Sequence, residues 1–215
     1  MKRIVFADIE ASALHRGFPI EFGWAWAESS HVEARSFLIA PTDRWLSPEY
    51  HWDPAAEHIH GIGMDMLRHS GKPVDAACRT INEALVDSEI CFDTGAAGID
   101  SRWLDQLYAE SGVERVLRLA ATSADMLTIN SAHRLGIGDV SWTLLKKLAP
   151  PIPHAAAEDA AHWAWWQIAV ERVAGAGFGG IADGSDLGLD VLRSVVGSIE
   201  IYSTGRARQI VQPDI

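Results

Sequence analysis

The sequence has few of the features that mark secreted, membrane or nucleic-acid-coating proteins. Only two of its 215 residues are cysteines, and both lie in apolar segments, so we expect buried free thiols in a reducing cytoplasm. No window approaches the roughly 18 uninterrupted apolar residues of a membrane span, and the N-terminal stretch lacks a signal-peptide pattern. Acidic residues outnumber basic ones, 29 to 18, for a net charge of −11. That balance argues against general attraction to a phosphate backbone.

What the sequence does contain is the composition and periodicity of a globular α/β protein. It is 48% apolar and 22% charged, which suits a packed core. Three strand-like stretches with short links predict an antiparallel meander, and helical periodicities then alternate with two further strands. We therefore expect a mixed β-sheet flanked by α-helices. The predicted strands cover 4–10, 18–27, 32–40, 89–92 and 113–121.

Composition sets the C-terminal part of the chain apart. Several glycines interrupt the helical pattern between 175 and 184, and the alternation over 199–211 fits a terminal hairpin. The sequence thus predicts a main domain over 1–174 and an extension over 175–215 that packs on the same domain. Upstream, the proline-punctuated stretch 41–57 is expected to be a loop, with His58 and His60 following it before a short helix.

Asp8 and Glu10 follow an apolar run that is typical of a buried strand. Residues two apart point to the same side of a strand, so both carboxylates face one way. Two acids on one face repel each other unless a cation lies between them. A divalent metal with oxygen ligands is the obvious candidate. The alternative is that both acids merely mark where the strand enters solvent.

A second polar group opens the longest predicted helix. Glu158 and Asp159 fall on its first turn, where the helix dipole favours negative charge. A His154 placed beside the face that carries Asp159 leaves the carboxylate available to a metal and the imidazole available for proton transfer. The alternative for His154 is a helix-start cap, and Glu158 is expected to be solvated. A further acid, Asp100, opens the helix after the fourth strand.

Asp8-x-Glu10, Asp100 at a helix start and His154-x4-Asp159 occur in the order typical of the DEDD exonuclease superfamily. The sequence resembles its histidine-bearing branch, the DnaQ-like (DEDDh) 3′-to-5′ exonucleases, over about residues 4–174. It departs from that pattern at 95–96, where Gly-Ala replaces the usual His-Asn. Asp93, at a strand end, is therefore a rival to Asp100 as a metal ligand.

The resemblance implies a ribonuclease H-like fold and metal-dependent release of nucleotides from single-stranded DNA or RNA 3′ ends by two-metal-ion hydrolysis. The implied cofactors are two divalent cations, Mg²⁺ or Mn²⁺, and a homodimer is an open expectation. The implied metal ligands are Asp8, Glu10, Asp100 and Asp159, and the implied general base is His154. The implied contacts to the terminal nucleotide are Ala11, Ser12, Leu14 and His60. The alternative is a ribonuclease H-like binding or scaffold module with weak or no catalysis.

Overall fold

A mixed sheet forms the centre of the protein. The computed structural model describes residues 2–150, 152, 154–178, 180, 186–197 and 199–204. The strands in this part of the chain are β1 (Arg3–Ala11), β2 (Pro19–Ala27), β3 (His31–Leu38), β4 (Ser88–Phe92), β5 (Arg118–Leu119) and β6 (Glu200–Thr204). They form one six-stranded sheet in the order β5-β4-β1-β2-β3-β6.

The first three strands form the antiparallel meander that their alternating apolar pattern predicts, and that prediction is confirmed. The remaining strands are added in parallel: β4 beside β1, β5 beside β4, and β6 beside β3. Parallel neighbours require crossover connections, which are helical here. β1 therefore lies between an antiparallel and a parallel neighbour: its register with β4 runs from Arg3 to Ala7, and its register with β2 runs from Phe6 to Ala11.

Helices cover both faces of the sheet. They are α1 (Pro54–His60), α2 (Met64–Ser70), α3 (Val74–Leu85), α4 (Ile99–Ser111), α5 (Ala124–Arg134), α6 (Asp139–Lys146), α7 (Ala156–Gly175) and α8 (Asp186–Val196). On one face, Val5 and Ile9 of β1 join the core with α3 and α4. On the other, Phe6 joins the core with α5, α6 and α7. Because side chains alternate along a strand, Asp8 and Glu10 lie on the α7 side. No helix in the described ranges is long and apolar enough to cross a membrane.

Two local predictions are wrong. His58 and His60 lie in α1, a helix that begins after Asp53, whose side chain accepts a hydrogen bond from the Ala55 N–H, and ends at Gly61 in a left-handed conformation. That capping pattern was the signal that the loop prediction overlooked. The predicted fifth strand is reduced to β5, because it pairs with only the middle of β4.

The first half of the predicted C-terminal hairpin is strand β6, and the pairing within the hairpin stays a prediction. Residues of β6 pair in parallel with β3, from His31 opposite Glu200 to Arg35 opposite Thr204. The sheet therefore gains a sixth strand that the expected five-strand sheet did not include. The second half of the expected hairpin, 205–211, lies outside the described residues.

Candidate metal centre

Strand β1 places two carboxylates side by side, and α7 brings a third. Asp8 and Glu10 point to the same face, opposite Gly23 and Glu21 of the neighbouring strand β2. One ligand oxygen each from Asp8, Glu10 and Asp159 lies within 4.8 Å of the other two. The sequence prediction that these three acids come together thus matches the geometry. We refer to them below as the carboxylate triad.

The start of α7 packs closely against β2. A Cβ atom added at Gly23 would lie 2.1 Å from the backbone carbon of Ala156, so only glycine permits this approach. Asp159, one turn into the helix, is 9% exposed. Its Oδ1 atom is buried and finds no hydrogen-bond partner among the described residues. A buried carboxylate oxygen without a donor is costly unless a cation or water meets it.

The electrostatics of the triad disfavour its own negative charge. Burial raises the pKa of Asp159 to about 7, with backbone N–H groups of Ala155 and His154 opposing part of that shift. Burial also raises the pKa of Asp8 well above its usual value. The neighbouring acids raise it further, and these are Asp100, Glu10, Asp159 and Glu21. Among the described ion pairs, none includes Asp8 or Asp159.

The donor set therefore fits a hard divalent cation. Carboxylate oxygens are the ligands that Mg²⁺, Mn²⁺ and Ca²⁺ prefer. A cation among Asp8, Glu10 and Asp159 would neutralise the repulsion that raises the pKa of Asp8, and it would meet the buried Oδ1 of Asp159. The repulsion at Asp8 and the buried Oδ1 of Asp159 both indicate that the triad can hold a metal ion.

Asp100 lies next to the triad without belonging to it. It is in the first turn of α4 and 6% exposed. Burial raises its pKa to about 6, the carboxylate of Asp93 adds to this, and the backbone N–H of Ile9 in β1 opposes it. Asp100 also raises the pKa of Asp8. Asp93, the rival from the sequence, is exposed, so the buried acid facing β1 from this side is Asp100.

His154 is exposed and stands immediately before Ala155, the N-cap of α7. Its backbone has φ 55°, a left-handed conformation that is uncommon outside glycine. This turn brings the backbone N–H of His154 to the Asp159 carboxylate, whose pKa it lowers. The imidazole is thus carried on a tight turn beside the third triad acid, in contact with solvent.

The predicted nucleotide-contacting residues occupy different settings. Leu14 is 72% exposed and is free to meet a ligand. Ser12 is fully buried, and its hydroxyl joins two loops by donating to the His51 carbonyl and accepting from the Phe18 N–H. Ala11 ends β1 at an irregularity of the pairing with β2. His60 is 2% exposed and its Nδ1 accepts from the Ile62 N–H.

Sequence reasoning missed the burial of two acids. Glu21 of β2 is 1% exposed and raises the pKa of both Asp8 and Asp159. An acid within an otherwise apolar strand was the available signal. Glu158 was expected to be solvated, and this is wrong: it is 4% exposed, because neighbouring elements cover the first turn of α7 on several sides.

Solved structures of E. coli Exonuclease I have a similar fold. For its complex with a dA16 oligonucleotide the TM-score is 0.57 at 17% identity, with 79% of this chain and 40% of that chain covered. For the complex with 5cy-dT13 the TM-score is 0.58 at 17% identity, with 83% of this chain and 42% of that chain covered. For the zinc-bound complex of E. coli ExoI with ssDNA the TM-score is 0.56 at 18% identity, with 79% of this chain and 40% of that chain covered. No protein-family model and no curated protein matches the chain.

The likeness at this identity is one of fold. The mixed six-stranded sheet flanked by helices is an α/β fold of the ribonuclease H-like exonuclease type. The chain spans about two fifths of the length of the Exonuclease I structures it matches.

Proposed function

We propose that this protein is a metal-dependent 3′-to-5′ exonuclease that acts on single-stranded DNA or RNA ends. The observation that carries the proposal is the carboxylate triad of Asp8, Glu10 and Asp159, joined within 4.8 Å on a ribonuclease H-like sheet. The Exonuclease I structures with the same fold were solved with bound oligonucleotides, which supports a nucleic acid substrate.

The residues divide the work by position. Asp8, Glu10 and Asp159 would hold Mg²⁺ or Mn²⁺, and Asp100, close enough to raise the pKa of Asp8, would add a fourth carboxylate from the start of α4. Two such ions, when bound, stabilise the attacking and the leaving oxygen of a phosphodiester. His154, exposed beside Asp159, takes the proton of the attacking water.

The substrate-contacting role falls to the loop that follows β1. Leu14 projects into solvent there and packs against the terminal base, with Ala11 near the same nucleotide, while the buried Ser12 holds this loop in place through His51 and Phe18. The net charge of −11 disfavours long duplex tracts, so short or single-stranded ends are the substrates. Residues 1–174 form the nuclease domain of the chain, and 175–215 extend it.

An end-labelled oligonucleotide tests this function. With Mn²⁺ or Mg²⁺ present, the wild-type protein should shorten 5′-labelled single strands stepwise, which reports loss from the 3′ end. Asp8→Ala should abolish the activity, and His154→Ala should lower it by about 10²- to 10⁴-fold, the usual contribution of a general base. His133→Ala, an exposed histidine of α5, is the matched control and should have no effect. Unchanged activity in both site variants would disprove the assignment.

A second candidate is a ribonuclease H-like nucleic-acid-binding module with weak catalysis. It is favoured by one observation, that Asp100 lies outside the triad. Calorimetric titration with Mn²⁺ separates the two candidates. Two bound ions per chain favour the nuclease, whereas one ion, with oligonucleotide binding but no cleavage, favours the binding module.

A further inference from the structure

The helix that delivers Asp159 lacks a cap of its own. The first backbone N–H groups of any α-helix have no acceptor within the helix and are usually met by a side chain at the N-cap. The N-cap of α7 is Ala155, which makes no side-chain cap hydrogen bond. The start of α7 therefore needs an acceptor from another part of the chain.

Glu21 of β2 supplies that acceptor. Its Oε2 accepts a hydrogen bond from the Ala156 N–H at 3.4 Å, in the first turn of α7. Its Oε1 accepts one from the Ser36 hydroxyl of β3 at 2.9 Å. The side chain is buried, so these contacts are made away from water, where a carboxylate at a helix N-terminus also interacts favourably with the helix dipole.

The strand register places this cap beside the metal ligands. Glu21 lies directly opposite Glu10, and Gly23 lies directly opposite Asp8. Gly23 is also where the Ala156 backbone presses on β2. Glu21 thus holds the start of α7 by a hydrogen bond, and Gly23 holds it by a close backbone contact. Both residues lie next to the two β1 ligands.

We propose that Glu21 is a positioning residue of the metal centre, which caps α7 from β2 and thereby fixes Asp159 and His154 against Asp8 and Glu10. This inference rests on the proposed function in that it concerns the same metal site. Glu21 is not one of the three acids whose ligand oxygens converge; its two oxygens accept hydrogen bonds from Ser36 and Ala156.

Two substitutions of Glu21 distinguish the effect of its hydrogen bonds from the effect of its negative charge. In Glu21→Gln the amide oxygen still accepts from the Ala156 N–H, and the amide NH₂ donates to the Ser36 hydroxyl, while the charge is lost. In Glu21→Ala both contacts are lost. Loss of a group that orients metal ligands costs about 10- to 100-fold in metal affinity, so we expect Glu21→Ala to weaken Mn²⁺ binding by that factor and Glu21→Gln to recover most of it. Glu33→Gln on β3 is the control, because this half-buried acid alternates with Val32 and Ala34 of the α7 core and so points to the other face of the sheet.

Calorimetric Mn²⁺ affinity and amide hydrogen exchange at Ala156 are the two measurements. The expected result is faster exchange at Ala156 in Glu21→Ala, near-normal exchange in Glu21→Gln, and a parallel change in affinity. Equal losses in both variants, or unchanged affinity in Glu21→Ala, would overturn the proposal. If Glu21→Ala does not fold, Ser36→Ala replaces it and should show a smaller change in the same direction; no change there overturns the proposal too.

These measurements also keep the two proposals apart. A wild-type protein that binds no Mn²⁺ would refute the proposed function. The Glu21 cap would then be judged by hydrogen exchange alone, where unchanged exchange at Ala156 in Glu21→Ala counts against it.

Discussion

Two helix starts bring an aspartate to β1, and they do so in different ways. α4 carries Asp100 and α7 carries Asp159, each in the first turn, and neither helix has a side-chain cap at its N-cap residue. The start of α7 is held on β2 by Glu21 and by the close contact at Gly23. The start of α4 follows a turn of small residues, 94–98, in which Thr94 is exposed.

The consequence appears in where the two carboxylates lie. Asp159, on the docked helix, joins Asp8 and Glu10 within 4.8 Å, whereas Asp100 stays outside that group. Burial raises the pKa of Asp159 to about 7 and that of Asp100 to about 6. A helix start that is fixed to the sheet can thus hold a carboxylate where burial destabilises its negative charge. A cation that binds such a carboxylate relieves this destabilisation, which favours tight metal binding.

The largest effect should come from removing one carboxylate at each start. Asp159→Asn should abolish Mn²⁺ binding to the triad and all nuclease activity, because it removes one of three converging ligands. Asp100→Asn should weaken Mn²⁺ binding by only about 10- to 100-fold, the range for a group beside the main ligands. Calorimetry and the oligonucleotide assay measure both, with the exposed Glu171→Gln of α7 as control. Equal losses in the two variants would remove the distinction between the two starts.

The second effect concerns how each helix start is packed. In Gly23→Ala the new methyl group meets the backbone of Ala156, which cannot move without shifting α7. Overpacking of this kind costs about 1–3 kcal/mol, and Mn²⁺ affinity should fall with it. In Gly98→Ala the methyl group meets Thr94 and the Gly95 carbonyl oxygen; the Thr94 hydroxyl can rotate away but its Cβ cannot, so relief has to come from a shift of this partly exposed turn rather than of a helix packed on the sheet. Urea unfolding should therefore show a smaller loss in Gly98→Ala; a larger loss there would mean that the α4 turn is the more rigid of the two.

The sequence predicted part of this arrangement, and the reasons are physical. Asp8 and Glu10 share a face because strand periodicity is local, and Asp159 with His154 could be placed at a helix start from the proline connector before them. The depth at which each helix start docks is not local. It depends on Gly23 and on the β1–β2 register, which only tertiary packing sets. The same holds for β6, whose parallel pairing with β3 joins residues far apart in the chain.

The smallest effect should appear in how stability depends on pH without metal. A carboxyl whose pKa is higher in the folded than in the unfolded protein stabilises the fold while it is protonated. That contribution is lost as the pH rises from its unfolded value, about 3.9 for Asp, through its folded value. The folded values are about 6 for Asp100 and about 7 for Asp159. In EDTA, the free energy of unfolding should therefore fall between about pH 4 and pH 7.

The two helix starts should contribute unequally to that fall. Both asparagine variants should flatten the pH profile, and Asp159→Asn should flatten it more. The difference should be on the order of 1 kcal/mol at pH 8, the free energy that corresponds to roughly one pKa unit. Urea unfolding at pH 5 and pH 8 in EDTA measures this difference. Added Mn²⁺ should restore stability at pH 8 in the wild-type protein but not in Asp159→Asn. A profile flattened equally by Asp100→Asn would show that docking on β2 does not make the α7 carboxylate the costlier of the two.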